Sequence, residues 1–242
     1  MRHRFFVAAE QMVGQEVRFA AAQSHQIRNV LRLRAGDQVR VFDGHRPIDH
    51  VVELESADHG RVVGERQQAA EPKTRLVVYP ALLQRDKFEP VLQKLTEIGA
   101  AAIAPVITAR ALVREAPDER RLARWRAIMR EATEQSGRGV VPELLPVVGF
   151  ANAIDGATGR VIMAYEGERR RGLHSALVSG SNEVALFVGP EGGYAPDEAE
   201  AAVRAGAVLI TLGPRILRTE TASPLLAALV LHELGDLSSS TE

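Results

Sequence analysis

From Thr74 onward, short apolar segments alternate with longer amphipathic ones, and this alternation limits the possible fold more than any other feature of the chain. Short runs of Val, Ile, Leu and Ala are typical of strands buried on both faces, and amphipathic segments are typical of covering helices. The alternation predicts an α/β domain with a parallel sheet. The predicted strands are Arg75–Pro80, Ala102–Ile107, Arg160–Tyr165, Val184–Val188 and Val208–Leu212. The predicted helices are Phe88–Ile98, roughly Glu119–Ser136, Leu173–Val178, Pro196–Ala205 and a final helix to about Leu234.

The residues before this region show a different pattern, of short strands around one helix. Ser24 is a good N-cap residue, so we expect a helix from His25 to about Arg34. Glu71-Pro72-Lys73 has the composition of a short linker. The sequence therefore predicts a small, mostly β barrel in residues 1–71 and an α/β domain in residues 72–242. The strands predicted for the barrel are Arg4–Val7, Glu16–Phe19, Gln38–Asp43, Ile48–Leu54 and Gly60–Arg66.

Composition excludes several classes of protein. The chain has no cysteine, which rules out disulfides, thiolate zinc sites and a cysteine nucleophile. No apolar run approaches the roughly 18 to 20 residues that a membrane span needs, and the N-terminus lacks the pattern of a signal peptide. We therefore expect a cytoplasmic protein without a membrane partner. Between residues 73 and 138, 13 basic residues stand against 8 acidic ones, a balance that favours a nucleic-acid phosphate backbone.

Two glycine-containing segments occur at the ends of predicted strands, at residues 187–194 and 211–222. Glycines at a strand end let a ligand approach the backbone closely, and strand carboxyl ends are where open α/β sheets bind ligands. Two such loops at consecutive strand ends predict one shared pocket. Neither loop has the G-x-G-x-x-G or the G-x-x-x-x-G-K-[ST] pattern, which disfavours an ordinary dinucleotide dehydrogenase and a nucleoside triphosphatase.

The detail of these loops, together with motifs upstream, resembles the RsmE family of 16S ribosomal RNA uridine-N3 methyltransferases. The matching motifs occur in order along nearly the whole chain. They are Arg4-Phe5-Phe6, His25 with Asn29-Val30-Leu31-Arg32 and Gly36-Asp37, Lys94-x-x-Glu97-x-Gly99, Glu131-Ala132-x-x-Gln135-Ser136-x-Arg138 with Pro142, Gly189-Pro190-Glu191-Gly192-Gly193, and Leu212-Gly213-x-Arg215-Ile216-Leu217-Arg218-Thr219-Glu220-Thr221-Ala222.

The resemblance implies a fold, a reaction and partners. It implies a SPOUT-type parallel sheet that ends in a trefoil knot, preceded by a PUA-like β-barrel that binds RNA. It implies S-adenosyl-L-methionine as the methyl donor, no metal, and a homodimer that completes the cofactor pocket. The implied substrate is N3 of one uridine in 16S ribosomal RNA, within the assembled small ribosomal subunit. These expectations come from the resemblance and not from composition or periodicity.

The resemblance also assigns residues. One wall of the cofactor pocket is expected from Gly189, Pro190, Glu191 and Gly192, a second from Leu212, Gly213, Ile216 and Leu217, and a third from Ala164 and Glu166. Arg218 is expected to orient the uracil or a flanking phosphate, and Glu220 is the candidate base that removes the N3 proton. The expected RNA contacts are Arg4, His25, Arg32, Lys94 and Arg138.

Other functions stay open at this point. A non-catalytic RNA-binding protein would explain the barrel and the basic segment, but it would leave the two glycine loops without a role. A methyltransferase that acts on another RNA would share every motif. A metabolic enzyme with a nucleotide cofactor would bind the cofactor without RNA. Metal-dependent hydrolysis is disfavoured, because no histidine and carboxylate pairs fall at ligand spacing.

Overall fold

The computed structural model of the chain describes residues 3–68, 70–177 and 180–237. The chain forms two compact units, one of Met1–Glu71 with Arg130–Val141 and one of Pro72–Met129 with Pro142–Glu242. The sequence prediction divided the chain once, at residue 71. In the structure the chain also returns to the first unit, over residues 130–141. This return is defined by tertiary contacts, and no local sequence feature indicates it.

The first unit is built on a six-stranded sheet. Its strands are β1 (Arg4–Phe6), β2 (Met12–Val13), β3 (Glu16–Arg18), β4 (Gln38–Phe42), β5 (Ile48–Leu54) and β6 (His59–Gln67), in the order β1-β4-β5-β6-β3-β2. β1 pairs with β4 in parallel, and the other pairs are antiparallel. Alternate residues of β4 and β5 point inward, so that Val39, Val52 and Leu54 are buried. The core of this unit comprises Phe5, Val7, Val17, Phe19, Ile27, Val39, Val41, Val52 and Leu54.

The helix of the first unit begins earlier than the sequence predicted. α1 spans Ala21–His25 and continues as a π-helical turn over Gln26–Val30. Ser24 is therefore inside the helix, where its hydroxyl donates to the carbonyl of Ala20 at 3.1 Å. The capping group is instead Gln23, whose side-chain oxygen accepts from the Ala20 N–H at 2.9 Å. The predicted N-cap was wrong because a Gln at the third helical position can reach back over the first turn.

The second unit is built on a six-stranded sheet in which all pairs are parallel, as the sequence predicted. The predicted strand Ala102–Ile107 is two short strands, because Ala104-Pro105 interrupts it and Pro105 has no N–H to donate. The strands are β7 (Arg75–Pro80), β8 (Ala102–Ile103), β9 (Val106–Ile107), β10 (Glu143–Leu144), β11 (Val148–Gly149), β12 (Arg160–Ala164), β13 (Glu183–Val188) and β14 (Val208–Ile210). The large sheet has the order β10-β8-β7-β13-β12-β14, and β9 pairs with β11 separately.

Helices α2 (Phe88–Ile98), α3 (Glu119–Ser136), α4 (Phe150–Asp155), α5 (Pro196–Arg204) and α6 (Thr219–Glu233) complete the chain, and α3 runs from the second unit into the first. α6 packs against α2, β7 and β13. The predicted helix Leu173–Val178 was wrong: residues 174–176 form a turn, and Val178 lies outside the described residues. Within residues 3–68, 70–177 and 180–237, no helix has the length and apolar character to cross a membrane.

Candidate functional site

A cleft with a volume of about 880 Å³ opens at the carboxyl ends of β12, β13 and β14. These strands are neighbours in the order β13-β12-β14, so the segments that follow them lie side by side. This is the edge at which parallel α/β sheets bind ligands, and the volume falls in the range of small-molecule sites. The cleft is lined by Ala164, Tyr165, Glu166, Glu168, Arg169, Val188, Gly189, Pro190, Glu191, Gly192, Gly193, Thr211, Leu212, Gly213, Pro214, Arg215, Ile216, Leu217, Thr219 and Ala222.

All ten residues that the resemblance assigned to the cofactor pocket belong to this lining, and they come from three separate segments of the chain. The structure therefore brings together the three expected walls. Several lining residues were not assigned to the pocket, although most lie within or beside the quoted motifs. Arg169 had no such signal, because it lies in a segment that carries none of those motifs. The missed residues are Tyr165, Glu168, Arg169, Val188, Gly193, Thr211, Pro214, Arg215, Thr219 and Ala222.

The first wall is a tight turn over residues 190–193, closed by a hydrogen bond from the Gly193 N–H to the Pro190 carbonyl at 2.9 Å. Gly193 has a φ of +67°, a left-handed conformation that favours glycine. The carboxylate of Glu166 lies directly over this residue: a Cβ on Gly193 would stand 2.5 Å from Glu166 Cδ. Glycine at position 193 thus allows both the turn and the placement of a carboxylate in the cleft.

Four side chains hold this turn in place. Lys87 Nζ lies 3.1 Å from Glu191 Oε1, and Arg110 Nη1 donates to the Gly192 carbonyl at 3.2 Å. Thr219 Oγ1, at the start of α6, donates to the Gly189 carbonyl at 2.7 Å. A Cβ on Gly189 would stand 3.0 Å from the ring of the buried Tyr194, which therefore fixes the backbone from below. The first wall is therefore braced by contacts within the protein itself.

Electrostatics keeps Glu191 ionised and Tyr194 neutral. Burial alone would raise the pKa of Glu191, but hydrogen bonds from its own backbone and from Lys87 lower that pKa overall. Burial raises the pKa of the Tyr194 phenol well above its usual range, and the carboxylates of Glu198 and Glu166 add to the effect. The Tyr194 hydroxyl accordingly stays protonated and serves as packing rather than as an acid or base.

The second wall is the segment between β14 and α6. Gly213 has a φ of +100°, and its N–H donates to Thr211 Oγ1 at 3.2 Å. The backbone N–H groups of Ile216 and Leu217 donate to no other residue in the described part of the chain. The side chain of Ile216 is 83% exposed, although it is apolar. Free N–H donors beside an apolar side chain suit a flat heteroaromatic ring with acceptor atoms on one edge.

This chemistry fits S-adenosyl methionine. Its adenine offers ring nitrogens to the free N–H groups of the second wall, and its positive charge suits a carboxylate. Glu166 places a carboxylate in the lining of the cleft, and no described residue forms a hydrogen bond or an ion pair with it. In the described residues, no cluster of three His, Cys, Asp or Glu side chains is arranged to hold a metal ion.

The two predicted catalytic residues flank the cleft but are not part of its lining. Arg218 is exposed and occupies the N-cap position of α6, where it makes no side-chain capping bond. A cation is unfavourable at the positive end of a helix, so this position is not explained by helix stability. Glu220 is half-buried in the first turn of α6. Its Oε2 is buried and has no hydrogen-bond partner among the described residues.

Two of the predicted RNA contacts were wrong, because the structure buries them in the first unit. Arg4 is 8% exposed; its Nε donates to Asp49 Oδ1 at 2.9 Å, and its Nη1 donates to the Thr133 carbonyl at 3.2 Å. Arg138 is 2% exposed, and its Nη2 lies 2.8 Å from Glu71 Oε2. Both arginines satisfy buried acceptors where the return segment meets the sheet, so neither guanidinium is available to RNA.

The other three predicted RNA contacts are solvent-accessible. His25 is exposed on α1, with its Nδ1 2.8 Å from Asn29 Nδ2. Arg32 is exposed, and its φ of +57° is the one left-handed value for a non-glycine residue in the described ranges. Lys94 is exposed on α2 of the second unit, and its Nζ lies 3.0 Å from Glu97 Oε2. These surfaces can meet a polyanion, although Lys94 already has an acidic partner.

Comparison with known proteins gives a consistent result. The RNA methyltransferase domain family matches residues 70–231 of the chain. The chain is 32% identical to the ribosomal RNA small subunit methyltransferase E of Synechocystis, over 92% of this chain and 75% of that protein. It is 31% identical to the protein of the same name from Bacillus subtilis, over 100% of this chain and 98% of that protein.

A solved structure resembles the whole chain. The ribosomal RNA small subunit methyltransferase E of Neisseria gonorrhoeae, crystallised bound to S-adenosyl methionine, superposes with a TM-score of 0.85 and 32% sequence identity. The similarity covers 98% of this chain and 99% of that one. The likeness therefore includes both units as well as the cleft-bearing sheet.

Proposed function

The chain belongs to the ribosomal RNA small subunit methyltransferase E family, and we propose that it transfers the methyl group of S-adenosyl methionine to N3 of a uridine in 16S ribosomal RNA. One observation carries the proposal at the level of the site. The ten residues expected at the cofactor, from three separate segments, line one cleft at the strand ends.

The reaction sets three requirements for the protein. When bound, S-adenosyl methionine supplies an electrophilic methyl group on a sulfonium. N3 of the uracil must lie in line with that methyl group, and its proton must leave. The negative charge that develops on the flanking carbonyl oxygens must be stabilised. Alignment of two reactants in a fixed site supplies a large part of such an acceleration, and the braced turn at residues 190–193 provides a fixed wall for it.

We assign the uracil-facing roles to Arg218 and Glu220. The guanidinium of Arg218 is exposed next to the cleft, and it can donate to a carbonyl oxygen or to a phosphate. Glu220 is the proposed proton acceptor, because one of its carboxylate oxygens has no donor within the described ranges. Glu166 is the carboxylate that competes for this role, since it lines the cleft itself.

The proposed domain roles follow the family. We propose that the first unit is a PUA-like RNA-binding domain, supported by the exposure of His25 and Arg32. We also propose that the second unit contains a trefoil knot. In support, β14 lies at the edge of the sheet, whereas α6, which follows it, packs on β7 and β13 near the centre. Thr219, the first residue of α6, also donates a hydrogen bond to the Gly189 carbonyl in the loop after β13.

We further propose that the protein is a homodimer that acts on the assembled small subunit in the cytoplasm. The apolar side chains of Leu225 and Leu229 are four residues apart on α6 and are 39% and 37% exposed. Ile216, at the cleft, is more exposed still. An exposed apolar stripe next to a ligand site is typical of a surface that a second copy covers.

The decisive experiment is transfer of labelled methyl from S-adenosyl methionine to small ribosomal subunits that lack the modification. We expect incorporation at N3 of one uridine in the wild type and loss of at least tenfold in kcat for Arg218→Ala. Glu220→Gln and Glu166→Gln are compared at several pH values. The base is the residue whose replacement lowers kcat and removes the fall of kcat at low pH, while the affinity for the cofactor stays unchanged.

The outcomes separate the rival functions. Cofactor binding without transfer to subunits or to naked 16S RNA would indicate a different methyl acceptor. Absence of cofactor binding would favour an RNA-binding protein without catalysis. A wild-type rate for Arg218→Ala would remove that residue from the proposed site and leave the activity intact.

A further inference from the structure

The segment that connects β12 to the turn at residues 174–176 carries three consecutive arginines, Arg169, Arg170 and Arg171, and all three are exposed. Glu168 orders this segment. Its Oε1 accepts from the Arg170 N–H at 2.7 Å and from the Arg171 N–H at 3.1 Å. These backbone hydrogen bonds lower the pKa of Glu168, so the carboxylate remains ionised at neutral pH.

A second tether fixes the segment to the cleft. The Thr211 N–H, at the end of β14, donates to the Arg171 carbonyl at 2.8 Å. The Glu168 N–H donates to the Tyr165 carbonyl at 3.1 Å, which closes the turn after β12. The backbone is therefore held by hydrogen bonds both before Arg169, at Glu168, and after it, at Arg171. Of the three arginines, it is the one that lines the cleft.

Arg169 shares the cleft with a second cation, Arg215 of the opposite wall. In the described part of the chain, neither guanidinium has an ion-pair or hydrogen-bond partner. Arg218, beside the same cleft, also has none there. Four other exposed arginines of this unit are each paired with a glutamate, in Arg75–Glu183, Arg124–Glu89, Arg126–Glu119 and Arg204–Glu200.

We propose that Arg169 and Arg215 bind a phosphate group of the substrate RNA at the rim of the cleft and so position the target nucleotide over the methyl donor. This inference rests on the proposed function. A guanidinium fork matches a phosphate in geometry and charge. The row of unpaired arginines continues to Arg218, outside the lining of the cleft, which suits a polyanion better than the one carboxylate of the donor.

The proposal predicts a defined change in RNA binding. Loss of one phosphate contact weakens RNA affinity about tenfold and reduces the slope of log K against log salt by about 0.7 to 0.9. Arg169→Ala and Arg215→Ala should each show both effects and should raise KM for subunits more than they lower kcat. Arg169→Lys keeps the charge but loses the fork, so it should restore most of the salt slope and only part of the affinity.

The experiment measures binding of the full-length protein to small subunits by filter retention at several salt concentrations, and binding of S-adenosyl methionine and S-adenosyl homocysteine by calorimetry. Arg170→Ala is the matched control, because it lies in the same segment and is also solvent-exposed but does not line the cleft. We expect the control to keep the wild-type salt slope and all variants to bind both small molecules as the wild type does.

Two results would overturn the inference. If Arg169→Ala lowers the affinity for both small molecules tenfold and leaves the salt slope of RNA binding unchanged, the arginine binds the carboxylate of the donor. If Arg170→Ala loses as much RNA affinity as Arg169→Ala, the loop contributes only diffuse charge. Because RNA binding is measured without methyl transfer, an inactive wild type would contradict the proposed function while the salt slopes still decide the role of Arg169.

Discussion

Replacing Gly193 with alanine tests the geometry of the cofactor cleft directly, because it perturbs two quantities of known size. The residue has a φ of +67°, and a non-glycine residue pays about 1 kcal/mol for this left-handed conformation. The new Cβ would also stand 2.5 Å from Glu166 Cδ, so the carboxylate has to rotate away, at about 0.5 to 1 kcal/mol for a strained rotamer. We expect a loss of about 1.5 to 2 kcal/mol in the free energy of unfolding.

The same substitution should reduce cofactor affinity, since it displaces a carboxylate that lines the cleft. We expect the Kd for S-adenosyl methionine to rise about tenfold, which corresponds to about 1.4 kcal/mol. Unfolding in urea gives the first quantity and isothermal calorimetry gives the second. Gly206→Ala is the matched control for backbone conformation: its φ is +89° and nothing lies within 4 Å of its Cβ position. The control should lose about 1 kcal/mol of stability and no cofactor affinity.

A double-mutant cycle with Glu166→Ala decides whether the two residues interact. Without the carboxylate, the alanine at position 193 meets no steric obstacle, so its effect on Kd should fall below about twofold. An effect of tenfold in both backgrounds would refute the argument, because it would show that the turn and not Glu166 carries the loss.

Three further changes test other parts of the structure. Arg138→Met should lower the free energy of unfolding by about 3 kcal/mol, because it leaves the Glu71 carboxylate without its buried cation; a stable variant with weakened RNA binding would restore Arg138 as an RNA contact. Burial raises the pKa of Glu134, so its ionisation opposes folding. The stability of the wild type relative to Glu134→Gln should therefore fall as the pH rises from about 4 through that raised pKa, as followed by urea unfolding; a difference independent of pH would contradict this. Leu229→Glu should produce monomers in sedimentation velocity, whereas Val203→Glu, at an apolar and more exposed position of α5, should leave the dimer intact.

Local sequence was sufficient wherever one short segment decided the outcome. Strand Arg75–Pro80 and helix Phe88–Ile98 have the bounds that their apolar patterns predict. The spacing of apolar residues within each segment is enough to indicate burial on both faces of the strand and on one face of the helix. The segment Leu173–Val178 shows the limit of this reasoning. Its composition is compatible with a helix, but residues 174–176 form a turn between two strands that pair with each other in parallel. Where a segment is this short, tertiary context outweighs helix propensity.

The cleft was predictable for the same reason that the strands were. Glycine loops after consecutive apolar strands mark the carboxyl edge of a sheet, and the resemblance to the family then assigned ten cofactor residues to segments that the structure brings together. Arg169 was not predictable, because its place in the cleft depends on the strand order β13-β12-β14 and on the bond between Thr211 and Arg171.

The sequence by itself determined the class of the fold, the position of the ligand edge and the family, because these depend on periodicity and on motifs that are contiguous in the chain. Tertiary structure alone decided which charged residues are free. Arg4 and Arg138 look in sequence like other surface arginines, yet the return of residues 130–141 to the first unit buries them against Asp49 and Glu71. A buried charge requires a partner that is distant in sequence, and only the folded chain brings that partner within hydrogen-bonding distance.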